Sequence, residues 1–190
     1  FRTGRNSSQD ASSNAVALDK PGNVIATLAQ DNAFGRDGVK AFRSAIKNAK
    51  FVHEEFVPSG TTDFTAAMQH LIDAMKDQKG RKIVWVVWAG APSPFSKFAE
   101  LELQKRYGIE MATGGNILPA MVAYKQYPGM EGALYYYFGI PKNPVNEWLV
   151  SNHYKQLKSP PDFFTAGGMS AAIAVVEALK KTNGDTGTNK

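Results

Sequence analysis

The sequence contains no cysteine, and this absence excludes several kinds of site at once. A disulfide scaffold, a thiolate metal site and a cysteine nucleophile all need that residue. Histidine is scarce as well: the three present, His53, His70 and His153, share no spacing typical of metal ligands. We therefore expect no metal ion and no other cofactor.

Long apolar runs and dense basic runs are also missing. The longest apolar stretches, Ile83–Ala89 and Ala171–Val176, fall well short of the roughly 18 residues of a membrane span and match the size of core segments. The 22 Lys and Arg against 17 Asp and Glu give a net charge of +5, but no four basic residues are consecutive. That pattern is typical of a basic soluble surface and gives little support to nucleic-acid binding. We expect neither nucleic acid nor a membrane span.

The catalytic motifs that can be recognised by spacing are absent too. The sequence has no G-x-G-x-x-G, no Walker lysine loop, no G-x-S-x-G elbow and no H-E-x-x-H. An enzyme on a doubly wound sheet remains a rival interpretation, with Asp31, His53, Asp63 and Ser93 as the residues it would use. These four share no recognisable spacing, so we expect a protein that is not an enzyme.

What the 190 residues do contain is an alternation of strand and helix patterns. Apolar runs bounded by turn residues predict strands at 23–30, 51–57, 83–89, 110–113 and 133–138. Helical spacing predicts helices over 8–18, from 62 or 63 to 75, and over 95–104, 145–157 and 165–181. A further helix is predicted after the loop 31–35 and ends at about residue 48. The period near 30 residues predicts an α/β fold, a Rossmann-like parallel sheet with flanking helices and right-handed crossovers.

The two ends of the chain depart from this alternation. Phe1–Ser7 is interpreted as the end of a strand and a turn. The last two predicted helices have no strand of their own between them, so we expect them to lie on another sheet. The tail Thr182–Lys190 is polar and rich in glycine, and we expect it to fray. The chain begins with Phe1 rather than Met, which indicates either a removed targeting segment or a start within a longer protein.

Candidate ligand-binding loops follow three predicted strands. In open parallel sheets ligands bind beyond the carboxyl ends of the strands, near the switch in strand order. The loops at these ends are Asp31–Gly35, Ala89–Pro94 and Gly114–Ile117. Their small and apolar residues, with a few hydrogen-bonding groups, favour holding a small organic molecule over transforming one.

Individual loop residues have structural alternatives that the sequence leaves open. Phe34 is either a ligand wall or a plug over the helix start, and Asp31 is either a ligand contact or a turn residue. Gly90 and Gly115 could simply adopt backbone angles denied to other residues. Tryptophans three apart in a strand face opposite sides, so one is expected in the core and Trp88, nearer the strand end, could reach a ligand cleft.

Six short segments resemble, in order and spacing, one known family. They are Ala29–Gly38, Gly60–Thr65, Trp88–Ala91, Gly129–Gly132, Asn143–Leu149 and Asp162–Gly168. Together they resemble the type I periplasmic binding proteins, the substrate-binding components of branched-chain amino-acid-type ABC transporters. The resemblance covers nearly the whole chain.

The resemblance implies a division of the chain between two Rossmann-like lobes joined by crossing hinge strands. Residues 7–132 would form the second lobe, with a ligand bound between the lobes. Residues 1–6 would be the hinge-proximal end of the first lobe, and 133–190 a crossing strand and helices that belong to that lobe. Most of the first lobe would then be absent, as in a fragment or a cut chain.

The resemblance also implies ligand contacts in this lobe. They fall on Phe34, Ala91 and Asn116, and the neighbouring candidates are Asp31, Trp88, Gly90 and Ile117. Amino-acid-binding members often have an acidic residue where this chain has Gly115-Asn116, and an aromatic residue where Ala91 stands. Both departures argue against amino-acid specificity, and an uncharged, wider wall would suit an aromatic acid, an amide or another small organic solute.

The implied function is solute binding for an ABC importer. The ligand would bridge the lobes and stabilise a closed form that the membrane permease recognises. The location would be periplasmic, or extracellular and lipid-anchored in a Gram-positive source. A ligand-sensing domain of a receptor or transcriptional regulator shares the same fold and is the alternative.

Overall fold

The protein is described from a computed structural model, which covers residues 2–127 and 129–187. The chain forms two compact units. One spans Asn6–Ala133, and the other combines residues up to Arg5 with those from Leu134 onward. We call them the sheet unit and the helical unit. The chain passes between them twice, after Arg5 and after Ala133.

The sheet unit alternates strands and helices. Its strands are β1 (Asn23–Gln30), β2 (Lys50–Val57), β3 (Arg81–Val87), β4 (Ile109–Asn116) and β5 (Glu131–Leu134), the last ending just across the unit boundary. Its helices are α1 (Ser7–Leu18), α2 (Ala33–Ala45), α3 (Thr65–Met75), α4 (Phe95–Glu100), α5 (Leu103–Tyr107) and α6 (Leu118–Ala123), the last followed by a 3-10 turn at Tyr124–Gln126.

The strands form one sheet in the order β2-β1-β3-β4-β5. β1 pairs in parallel with β2 and β3, and β3 pairs in parallel with β4. β1 is buried from Asn23 to Ala29, as expected for a central strand covered on both faces. The predicted α/β class with a parallel sheet and flanking helices is therefore confirmed.

Two apolar cores cover the two faces of the sheet, because alternate residues of a strand point to opposite sides. On one face Ile25, Ile83 and Trp85 pack with α1 and α2. On the other face Val24 and Val84 pack with the apolar side of α3 and with the α4–α5 region. All six residues predicted for the apolar side of α3 are buried: Phe64, Ala67, Met68, Leu71, Ile72 and Met75.

Three local predictions were wrong. The helix expected over 95–104 is interrupted, because Glu102 adopts the left-handed conformation with φ 49° and separates α4 from α5. The strand expected over 133–138 is β5 instead, which ends at Leu134 after only four residues. Residues 2–6 contain no strand and Ser7 already begins α1, with Asn6 as its N-cap. Phe1 and residues 188–190 of the tail lie outside the described residues.

The helical unit contains α7 (Pro144–Leu157) and α8 (Phe163–Lys181). Asn146 organises the connector before α7: its amide donates to the carbonyl oxygens of Phe138 and Pro141, each at 3.0 Å, and its Oδ1 accepts from the Tyr136 hydroxyl. Burial raises the pKa of that hydroxyl above its ordinary value. No strand lies between α7 and α8, as predicted.

α8 leaves all of its residues at least partly exposed. In residues 2–127 and 129–187, it is the one helix long and apolar enough to cross a membrane by length and composition alone. The expectation drawn from uninterrupted apolar runs, that the chain has no membrane span, stays a prediction. A single helix of this kind does not by itself indicate a membrane span.

Candidate functional site

The three predicted loops lie on one edge of the sheet. They follow β1, β3 and β4, which are neighbours in the sheet and run parallel, so their carboxyl ends meet at the same side. After β1 the chain turns to α2 on one face, whereas after β3 it turns to α4 on the other. The gap between β1 and β3 is therefore the switch in strand order where such sheets bind ligands. We call this region the β1–β3–β4 edge.

Asp31 and Phe34 stand at the turn from β1 into α2. The Asp31 carboxylate lies 2.6 Å from the Arg36 guanidinium, so its charge is already balanced. Asn32 caps α2 by accepting from the main-chain N–H of Gly35 at 2.9 Å. Phe34 is 48% exposed, and its role as a ligand wall or as a plug over the helix start stays a prediction. The first turn of α2 thus presents an aromatic ring and an ion pair at this edge.

Gly35 lets α2 begin directly against the end of β1. A Cβ atom at this position would lie 2.0 Å from the carbonyl oxygen of Gln30, so only glycine fits. The Gln30 side chain in turn joins β1 to the end of β3, donating to the carbonyl of Ala89 at 3.1 Å and accepting from its N–H at 3.2 Å. This amide bridge holds the first two loops in register.

The loop after β3 carries Trp88, Gly90 and Ala91. Trp88 packs edge-on against Phe64 with ring centroids 5.2 Å apart, and its indole N–H donates to the carbonyl of Pro92 at 2.8 Å. It belongs to the α3 side of the sheet, whereas Trp85 lies in the core on the α2 side, so the predicted opposite orientation is confirmed. Gly90 has φ 83°, and both Gly90 and Ala91 are exposed.

The side chain of Asn116 is buried and forms hydrogen bonds within the sheet unit at the loop after β4. Asn116 is 5% exposed, and its side-chain amide donates to the carbonyl of Ala133 at 3.0 Å and, at 3.4 Å, to that of Thr113. Its neighbour Ile117 is half-buried in extended backbone just before α6, and Gly115 has φ 73°. Asn116 therefore connects β4 to β5 beside the point where the chain leaves the sheet unit.

The edge thus combines aromatic surface with few uncompensated charges. Phe34 and Trp88 supply rings from two different loops, and the carboxylate of Asp31 is paired. Two N–H groups in the first turn of α2, those of Ala33 and Phe34, donate to no other described residue. Helix N-termini favour negatively charged groups, so this arrangement suits an aromatic ring that carries a carboxylate.

Three residues of the rival enzyme interpretation, Asp31, His53 and Asp63, are each engaged locally. His53 lies 2.8 Å from Glu55, and Asp63 accepts from the hydroxyl and the main-chain N–H of Thr65 at 2.6 and 2.9 Å. Those two hydrogen bonds hold the pKa of Asp63 below its ordinary value. Among the described residues no hydrogen bond joins any two of Asp31, His53, Asp63 and Ser93.

Sequence reasoning missed two residues at this edge, Gln30 and Arg36. The signal for Arg36 was present, since an arginine five residues after an aspartate at a helix start can turn back to it. Gln30 gave no such signal, because its partner Ala89 is 59 residues away and contributes only main-chain atoms.

Comparison with known proteins assigns the chain to a class. A family model described as periplasmic binding protein matches residues 1–189. The chain belongs to the periplasmic binding protein family. A comparison with curated proteins gave no match.

Three of the solved structures similar to this chain are described as ABC transporter proteins. An ABC-type branched-chain amino acid transporter from Rhodopseudomonas palustris CGA009 is 62% identical, with a TM-score of 0.86, over 96% of this chain and 50% of its own. A solute binding protein from Rhodopseudomonas palustris BisB5, in complex with 3,4-dihydroxy benzoic acid, is 27% identical, with a TM-score of 0.68, over 97% of this chain and 51% of its own. A substrate-binding protein from Sphaerobacter thermophilus shares the fold at 19% identity, with a TM-score of 0.70, over 95% of this chain and 50% of its own. The chain spans about half the length of these relatives.

Proposed function

We propose that this chain is part of an extracytoplasmic solute-binding protein of an ABC importer. Its ligand is a small organic molecule, an amino acid, an amide or an aromatic acid, and we favour the aromatic acid. The β1–β3–β4 edge forms one wall of the ligand cleft, with Phe34, Trp88, Gly90 and Ala91 at its surface. No bond of the ligand is made or broken.

The observation that carries the choice of an aromatic acid is the 27% identical relative in complex with 3,4-dihydroxy benzoic acid. Two features of the edge support the same ligand class. The carboxylate of Asp31 is ion-paired with Arg36, which reduces the net negative charge that this edge offers to a ligand ammonium group. The exposed ring of Phe34 and the free N–H groups at the start of α2 suit the two halves of an aromatic acid.

The mechanism is ligand-induced closure of two lobes. A ligand that contacts both lobes stabilises the closed form by the contacts that the open form lacks. The permease then recognises the closed form. Residues 7–132 are the second lobe in this proposal, and 1–6 and 133–190 belong to the first.

Exposed apolar surface on α8 supports this division. Phe164, Val175 and Val176 are 66%, 58% and 47% exposed, which is unusual for three large apolar residues of one helix. The relatives have about twice the length of this chain, enough to supply a sheet under α7 and α8.

The test uses a longer protein that adds the counterpart of the half of the relatives not spanned here. Thermal unfolding is followed with 3,4-dihydroxybenzoate and leucine, because a ligand of the folded state raises the midpoint by mass action. We expect the largest rise with 3,4-dihydroxybenzoate. Phe34→Ala should weaken its binding about tenfold or more, and the exposed control Val16→Ala should leave it unchanged.

Each result decides part of the proposal. A rise with leucine alone refutes the aromatic ligand class but keeps the solute-binding function. Conversion of a compound during the assay refutes the binding protein and favours an enzyme. In the same protein, amide exchange in α8 that is no slower than in the 190-residue chain refutes the assignment of α8 to the first lobe.

A ligand-sensing domain of a receptor or regulator is the second candidate, because the fold serves both functions. Ligand-dependent stimulation of solute uptake by a permease in vesicles supports transport. A DNA-binding segment joined to this chain supports sensing.

A further inference from the structure

A cavity of about 370 Å³ lies in the sheet unit, away from the β1–β3–β4 edge. Its walls come from α4, α5, the beginning of β4 and the residues Tyr127, Gly129 and Met130. Met111, which lines it from β4, precedes Asn116 by five residues, or roughly 16 Å along a strand. The cavity is therefore separate from the candidate site above.

The cavity lies beside the interruption of the helix predicted over 95–104. The left-handed Glu102 separates α4 from α5, and Phe98 and Leu103 on either side of it line the cavity. Gly129 closes the opposite wall with φ 82°, and a Cβ atom there would lie 2.3 Å from Nε2 of Gln104. Residues on either side of the left-handed Glu102 and the positive-φ Gly129 thus form facing walls of the cavity.

The polar groups at the cavity carry no net charge. The Glu102 carboxylate is paired with the Lys105 ammonium group at 3.0 Å. The Gln104 side-chain amide makes no hydrogen bond to any residue within 2–127 and 129–187, and it offers a donor and an acceptor side by side. A carboxamide on a ligand presents the complementary pair. An ionised group would lose its hydration among Phe98, Met111 and Met130 without a partner charge.

We propose that this cavity is a second small-molecule site, which binds uncharged aromatic amides. The volume lies within the range of small-molecule pockets. The aromatic ring of the ligand packs against Phe98 and the two methionine side chains, and its carboxamide pairs with Gln104. The site is independent of the proposed cleft, so its test does not depend on solute transport.

The test is a titration of the 190-residue chain with benzamide, followed by NMR of ¹³C-labelled methionine methyl groups. We expect saturable shifts of the Met111 and Met130 methyl signals, while Met169 in α8 does not respond. Benzoate should bind at least tenfold more weakly than benzamide because of its charge. Gln104→Leu should weaken benzamide binding about tenfold, the equivalent of one good hydrogen bond.

A filling variant provides the matched control. Ala99→Phe places a ring at the exposed rim of the cavity and should abolish the shifts, whereas Ala66→Phe on the exposed side of α3 should not. Absence of saturable shifts up to the solubility limit of benzamide overturns the site. Equal binding of toluene and benzamide, with no effect of Gln104→Leu, overturns the ligand class.

Discussion

Replacing Asn116 with leucine tests whether this side chain is a structural connection between β4 and β5. Leucine has a similar size but no hydrogen-bonding group, so the substitution removes the 3.0 Å bond to the carbonyl of Ala133 without leaving a large cavity. The 3.4 Å contact to Thr113 is too long to add much. Leaving a partly buried carbonyl without its donor costs about 1–3 kcal/mol.

The expected consequence is local opening of β5. A loss of about 1–3 kcal/mol corresponds to roughly 5- to 150-fold faster exchange of its amide protons, measured by native-state hydrogen exchange. Thr113→Val is the matched control, because the Thr113 hydroxyl donates to Val86 at 3.1 Å on the other side of β4. That variant should accelerate exchange near β3 and leave β5 unchanged.

Two results would refute the reasoning about Asn116. Exchange in residues 131–134 within twofold of the original protein would show that the side chain does not hold β5. Equal acceleration throughout the sheet unit would show general destabilisation instead of a local connection.

Two further predictions concern the core and one surface carboxylate. Phe42→Ala should lower the free energy of unfolding by about 3–5 kcal/mol in denaturant titrations, because Phe42 is fully buried and stacks on Trp85 at 4.0 Å; a loss below about 1 kcal/mol would contradict this. Desolvation raises the pKa of Asp19, but hydrogen bonds from residues 47–49 outweigh it and hold the pKa below its ordinary 3.8, so these bonds stabilise the fold above about pH 3.8. Asp19→Asn should therefore lower the thermal midpoint at pH 7, with a difference that shrinks as the pH falls below 3.8; a difference constant with pH would count against it.

The parts of the fold set by local pattern were predictable. β1 was predicted with its observed bounds, because its apolar run lies between Pro21-Gly22 and Asp31-Asn32. The apolar spacing of α3 identified its buried residues, since one helix face packs on one sheet face. The order of strand and helix then predicted the parallel sheet.

The errors occurred where partners distant in sequence decide the structure. The run Tyr135–Phe138 has strong strand propensity. Its aromatic rings instead pack against rings of α7 and α8, Tyr135 against Phe163 and Phe138 against Tyr154. Nothing in residues 95–104 indicates the left-handed Glu102.

The sequence predicted where the candidate site lies in the fold, but not the role of each residue in it. Topology places all three predicted loops on one edge. Whether Asn116 faces a ligand or a neighbouring strand depends on Ala133, which its local sequence does not reveal. Its place among the ligand contacts, like that of Ile117, stays a prediction.

The double passage of the chain between the units has a consequence for the entropy of unfolding. The Arg5 guanidinium lies 3.3 Å from the centre of the Tyr135 ring, so the segments entering and leaving the sheet unit are held together. While the helical unit is folded, the chain between them is a closed loop, and a closed loop has fewer unfolded conformations than a free chain. A disulfide closing a loop of about 100 residues contributes up to about 4.7 kcal/mol in this way. In a protein without cysteine, the folded helical unit restricts the unfolded sheet unit in the same sense, but more weakly because the contact between its two segments is not covalent.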